Sequence, residues 1–138
     1  MSLYSSRTYD NATLLRAAGA LTVTTTETII LDIGAGLMDI DWINDVLAIK
    51  VSAADEKYTV ILEGSNVAAM SSGIVELGRV DLGNITTPIT VVTGTGRFLT
   101  PVRNEIAGTL YRYVRVQSTI VGTAPTINFV SWLAKDDN

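Results

Sequence analysis

From residue 20 onward, apolar and polar positions alternate at period two, as in strands with one face buried. The clearest case is the stretch 109–135. Leu110, Val114, Val116 and Ile120 fall on one face, and Tyr111, Tyr113, Arg115 and Gln117 on the other. A Gly-Thr-Ala-Pro turn leads into a second run, where Ile127, Phe129 and Leu133 oppose Asn128, Val130 and Trp132. β-Branched and aromatic residues dominate both halves, so the stretch reads as a long antiparallel hairpin. In residues 46–53, Leu47, Ile49, Val51 and Ala53 face one way and Ala48, Lys50 and Ser52 the other. Residues 57–64 turn Tyr58, Val60 and Leu62 inward, and Asp55-Glu56 marks a turn, which predicts a second hairpin.

Further strands are predicted in the Thr-rich run 21–26, in 27–33 with Ile29, Leu31 and Ile33 inward, and in 74–82. Gly78 within the last marks a bulge or a close approach. A short strand follows Pro88, and Pro101 in 98–102 points to an edge strand or bulge. Residues 65–73 and 104–108 read as loops. The total is eight or nine strands with no convincing helix between them. The expectation is an all-β, antiparallel β-sandwich or barrel, one domain over residues 20–138. Residues 1–19 lack the strand period and read as an N-terminal arm. Asp10 or Asn11 could cap a short helical turn through Leu14, Leu15 and Ala18, ended by Gly19.

Composition narrows the chemistry. The 138 residues contain no Cys and no His, so disulfides, thiolate nucleophiles and His-based triads or metal sites are excluded within them. Few enzymes of this size manage without both, so no enzymatic activity is expected. A net charge of −4 argues against a nucleic-acid partner. No apolar run is long enough to span a membrane, and the opening residues lack a signal-peptide core. The expectation is a soluble protein made in a cytoplasm. Charged residues are only 17%, which suits a protein pressed against partners or a sandwich rich in Thr and Ser.

The one tempting site is Asp39, Asp41 and Asp45, read as an acidic loop that a hard cation could occupy. It lacks the glycine and later glutamate of a calcium loop, so a solvated loop is the plainer reading. Gly34-Ala-Gly36 and Gly94-Thr-Gly96 open no helix and read as turns. Arg103, Arg112 and Arg115 could pair with carboxylates across an interface. Trp132 is either covered by a second layer or a contact anchor.

Several phrases together resemble the capsid cement, or decoration, proteins of tailed bacteriophages, especially short-tailed ones. They are Leu-Tyr-Ser-Ser-Arg-Thr-Tyr-Asp at the start, Lys-Tyr-Thr-Val-Ile-Leu-Glu-Gly-Ser at 57–65 and Val-Glu-Leu-Gly at 75–78. Tyr-Arg-Tyr-Val-Arg-Val at 111–116 and Val-Ser-Trp-Leu-Ala-Lys at 130–135 complete the set. The resemblance implies a jelly-roll sandwich on the outer capsid surface of a virion, often a homodimer. It also implies stapling of neighbouring major capsid protein subunits, with no cofactor. The residues expected at that interface are Tyr4 and Tyr9 on the arm, Trp42 on a loop, and Tyr113, Arg115 and Trp132 on the long hairpin. The alternative is a carbohydrate- or receptor-binding sandwich of a phage particle.

Overall fold

The computed structural model describes residues 13–51, 55–83 and 94–135. Among the described residues twelve strands run in chain order: β1 (Leu14–Arg16), β2 (Ala20–Leu21), β3 (Thr25–Thr26), β4 (Leu31–Asp32), β5 (Asp39–Ile49), β6 (Lys57–Ser65), β7 (Val75–Gly83), β8 (Gly96–Arg103), β9 (Glu105–Ile106), β10 (Thr109–Leu110), β11 (Tyr113–Val121) and β12 (Ile127–Lys135). One sheet has the order β1-β12-β5-β8, and β2 also pairs with β12. The other has the order β3-β11-β6-β7, and β4 also pairs with β11. All pairings are antiparallel.

Since β1 and β2 share one neighbour, and β3 and β4 another, each pair is one broken strand. Eight strand positions in two facing four-stranded sheets remain, with β9 and β10 as a small added hairpin. This is the double-sheet arrangement of a jelly roll. The twelve assigned strands exceed the expected eight or nine because two positions are broken, β9 lies in the predicted loop 104–108, and β10 is split from β11 in what reads as one strand.

The inward faces supply the core. Tyr58, Val60 and Leu62 of β6, as the alternation predicts, meet Val114, Val116 and Ile120 of β11 within one sheet. Opposite them lie Ile40, Trp42 and Val46 of β5 with Ile127, Phe129 and Leu133 of β12. Each such side chain taken out of water contributes about 1.5–3 kcal/mol, offset by the entropy of ordering the chain. Gly78 is both things the sequence allows. The β6–β7 register shifts between Leu62 and Glu63, leaving Leu77 as the extra residue. A Cβ on Gly78 would lie 2.7 Å from Val102 and 3.2 Å from Trp42. Pro101 lies on β8, which is an edge strand.

Several expectations are corrected. The stretch 109–135 is no hairpin, because β11 pairs with β6 in one sheet and β12 with β5 in the other. Residues 46–49 and 57–64 are likewise divided between sheets, in β5 and β6. The hairpin among the long strands is β6–β7. In this stretch Leu47 is 54% exposed, while Val46 is buried. The proposed helical turn is instead β1, whose Leu15 is buried in the core. The predicted strand at 89–93 lies outside the described residues.

Candidate protein-binding surface

The acidic stretch is where sequence and structure differ most. Asp39, Asp41 and Asp45 belong to β5, so they share one face of a strand at the middle of a sheet. On that face β8 supplies Arg103 opposite Asp39 and Arg97 opposite Asp45. Both contacts are two-pronged: Arg103 Nε and Nη2 donate to Asp39 at 2.8 and 3.3 Å, and Arg97 to Asp45 at 2.7 and 3.1 Å. The Arg103 guanidinium holds the Asp39 carboxyl below its ordinary value of 3.8. Asp41 is buried between the two pairs in register. Among the described residues no cluster of His, Cys, Asp or Glu could hold a metal ion. The stretch is therefore a charge ladder joining β5 to β8.

Both tryptophans are buried completely. Trp42, expected on a loop, sits in β5 with its indole N–H donating to Ser131 Oγ at 2.8 Å. Trp132 packs with Ile43, Val130 and Ala134 on the other face of the same sheet. Its indole N–H donates to Asp45 at 3.3 Å, and Arg97 stacks 5.3 Å from its ring. A side chain with no exposed surface has none to offer a partner, so these two residues are packing elements. Tyr113 and Arg115 do lie on the outward face of β11, half-buried. Arg115 donates to Glu63 at 2.8 Å on neighbouring β6. Arg112 donates twice to Asp32, at 2.7 and 2.9 Å, and stacks on Tyr113. The three arginines expected to reach across an interface thus each pair within the chain. Tyr4 and Tyr9 lie outside the described residues.

A different surface emerges at one end of the sandwich. Residues 33–38, 66–74 and 104–112 all turn there, because Asp39 is level with Arg103 in one sheet, and Ser65 and Asp32 with Tyr113 in the other. Buried Asn104 ties the 33–38 turn to 104–112. Its Nδ2 donates to Gly36 O and Tyr111 O at 2.9 and 3.0 Å, and its Oδ1 accepts from Met38 N at 2.7 Å. Asn66 joins in, donating to Leu110 O and accepting from Arg112 N. Ser65 Oγ donates to Ser72 O and accepts from Val67 N. Met70, in the left-handed region at φ 48, is buried beneath. The Ala107–Gly108 turn of β9–β10 has φ 50 and 88, the geometry of a tight type I′ hairpin.

On this braced frame Leu37, Val67, Ile74 and Ile106 are exposed by 57, 38, 39 and 41%. Beside it Thr13, Leu31, Asp32, Ile33, Met38, Ile40 and Leu133 line an apolar cleft of about 310 Å³. Leu37, Val67, Ile74 and Ile106 did not stand out in the sequence. The available signal was the pair of asparagines, 66 and 104, at the start of two predicted loops.

No protein-family model matches the chain, and no curated protein matches it. The class is therefore set by the fold alone: an all-β sandwich of two antiparallel sheets. Among the described residues no helix is long and apolar enough to cross a membrane.

Proposed function

We propose that this protein is a structural component of a tailed-phage virion, binding the outer surface of the capsid as a homodimer and stapling neighbouring major capsid protein subunits. The braced loop end carries this reading. Four apolar side chains stand exposed on turns already fixed by side-chain hydrogen bonds from Asn104, Asn66 and Ser65, so little ordering entropy is lost when they meet a second surface. The family resemblance in the sequence and the jelly-roll topology support the same reading. Many copies, each bridging two subunits, would turn modest single contacts into large collective stabilisation.

The test is co-sedimentation with expanded capsids that lack the protein. Wild-type chain should bind saturably. Leu37→Asp combined with Ile106→Asp should weaken binding at least about tenfold while leaving the unfolding midpoint of the free protein within experimental error. Equal binding by wild type and variant would remove the loop end from the interface. A wild-type chain that ignores capsids but is retained by a phage-receptor polysaccharide would favour the glycan-binding alternative. That alternative needs an exposed aromatic platform, which the buried tryptophans cannot provide.

A further inference from the structure

We propose that two copies of this chain join edge to edge through β7, continuing one sheet across a twofold axis at Val80. The inference takes up the homodimer of the reading above and gives it a surface. Strand β7 pairs with β6 on one side, and among the described residues no strand pairs with its other side. Such an edge presents a row of backbone donors and acceptors, for which the natural complement is another strand. Its flank is open: Arg79, Val80 and Asp81 line a groove of about 460 Å³ together with Arg97, Phe98, Leu99 and Thr100.

The sequence of β7 selects the partner. Its regular run is limited on one side by the bulge at Leu77 and on the other by Gly83, whose φ is 122. The midpoint of that run is Val80. An antiparallel copy centred there sets Val80 against the partner's Val80 and Gly78 against the partner's Leu82. It also sets Arg79 against the partner's Asp81, with the reciprocal contact across the axis. Both charged side chains are about half exposed and lie on the outward face, where Arg79 now pairs with Asp81 of its own strand at 3.3 Å. Directly opposed unlike charges favour a pairing and like charges oppose it. Centring the axis one residue earlier would oppose the two Arg79 side chains, so charge and strand length select the same register.

Sedimentation velocity on the intact protein tests this without any capsid, so its outcome is independent of the capsid-binding experiment. Wild type should be dimeric at about 10–100 μM. Arg79→Asp and Asp81→Arg should each weaken the dimer about tenfold or more, by opposing like charges twice. The two single variants mixed in equal amounts should form a heterodimer, because every opposed pair is then unlike. The double variant carrying both changes should recover the wild-type association. Circular dichroism should show an unchanged fold throughout, since both positions are solvent-facing. A monomeric wild type, single variants that associate as wild type does, or a mixture that stays monomeric would each overturn the proposal.

Discussion

Glycine 78 has no side chain because Trp42 and Val102 occupy the space. Nothing flexible and solvent-exposed stands in the way of a Cβ there, only a buried indole and a buried valine methyl. Gly78→Ala should therefore destabilise the protein by about 1–3 kcal/mol, the usual cost of overpacking. Gly36→Ala, where an added Cβ meets nothing within 4 Å, should change stability by less than about 0.5 kcal/mol. Urea titration of the pair separates overpacking from a general effect of replacing glycine. Asn104 is the polar counterpart. Asn104→Ala would remove the side-chain partner of the Met38 amide and of the Gly36 and Tyr111 carbonyls at a part-buried site. A loss of about 2–3 kcal/mol is expected, measured by urea unfolding, with faster amide exchange at Met38.

At the scale of strands, the alternation in residues 57–64 and 113–120 is legible because it reports which side faces the core. It is silent about the neighbour. A strand followed by a short turn and another strand looks the same whether the second pairs beside the first or crosses to the facing sheet. Both predicted hairpins failed for that reason. Strand β5 was half hidden for another. Its outward face carries Asp39, Asp41 and Asp45, which read as a loop until Arg97 and Arg103 are known to lie opposite, more than fifty residues on in sequence. The interface residues were equally opaque, since a tryptophan in a strand looks alike whether covered or bare.

The contacts made by three carboxylates predict a pH response. Asp39 is held below 3.8 by hydrogen bonding to Arg103, Asp32 by Arg112 and then Gly34, and Asp55 by the Thr123 hydroxyl. A folded-state value below the unfolded one means stability that is complete above the ordinary value and lost as pH falls through the lowered one. The urea midpoint should be flat from about pH 7 to 5 and fall below about pH 4. The fall should be small and shrink in high salt, since these carboxylates are solvent-exposed. Asp39→Asn should make it shallower.

Across the whole molecule, the two ends of the sandwich are each closed by a polar brace. At one end Asn104 and Asn66 fix the turns that carry the exposed apolar side chains. At the other, the Tyr58 hydroxyl donates to Lys50 O at 2.7 Å and accepts from Thr126 N at 3.0 Å, while Asp55 accepts from Thr123. Burial, the larger influence, pushes the Tyr58 phenol above 10.0. The sheets are thus fastened to one another at both rims as well as through the core, which suits a body that presents fixed turns to a partner.

The place of β12 has a consequence for biosynthesis. Strand β12 lies between β1 and β5, so these two earlier strands meet their shared neighbour only once residues 127–135 have been made. Until residues 127–135 emerge from the ribosome, Trp42 and Leu15 lack the wall formed by Phe129 and Leu133. A nascent chain must wait, largely uncommitted, for residues 127–135. A fragment that stops just before residue 127 lacks Ile127, Phe129 and Leu133 from its core and is a natural target for chaperones and proteases.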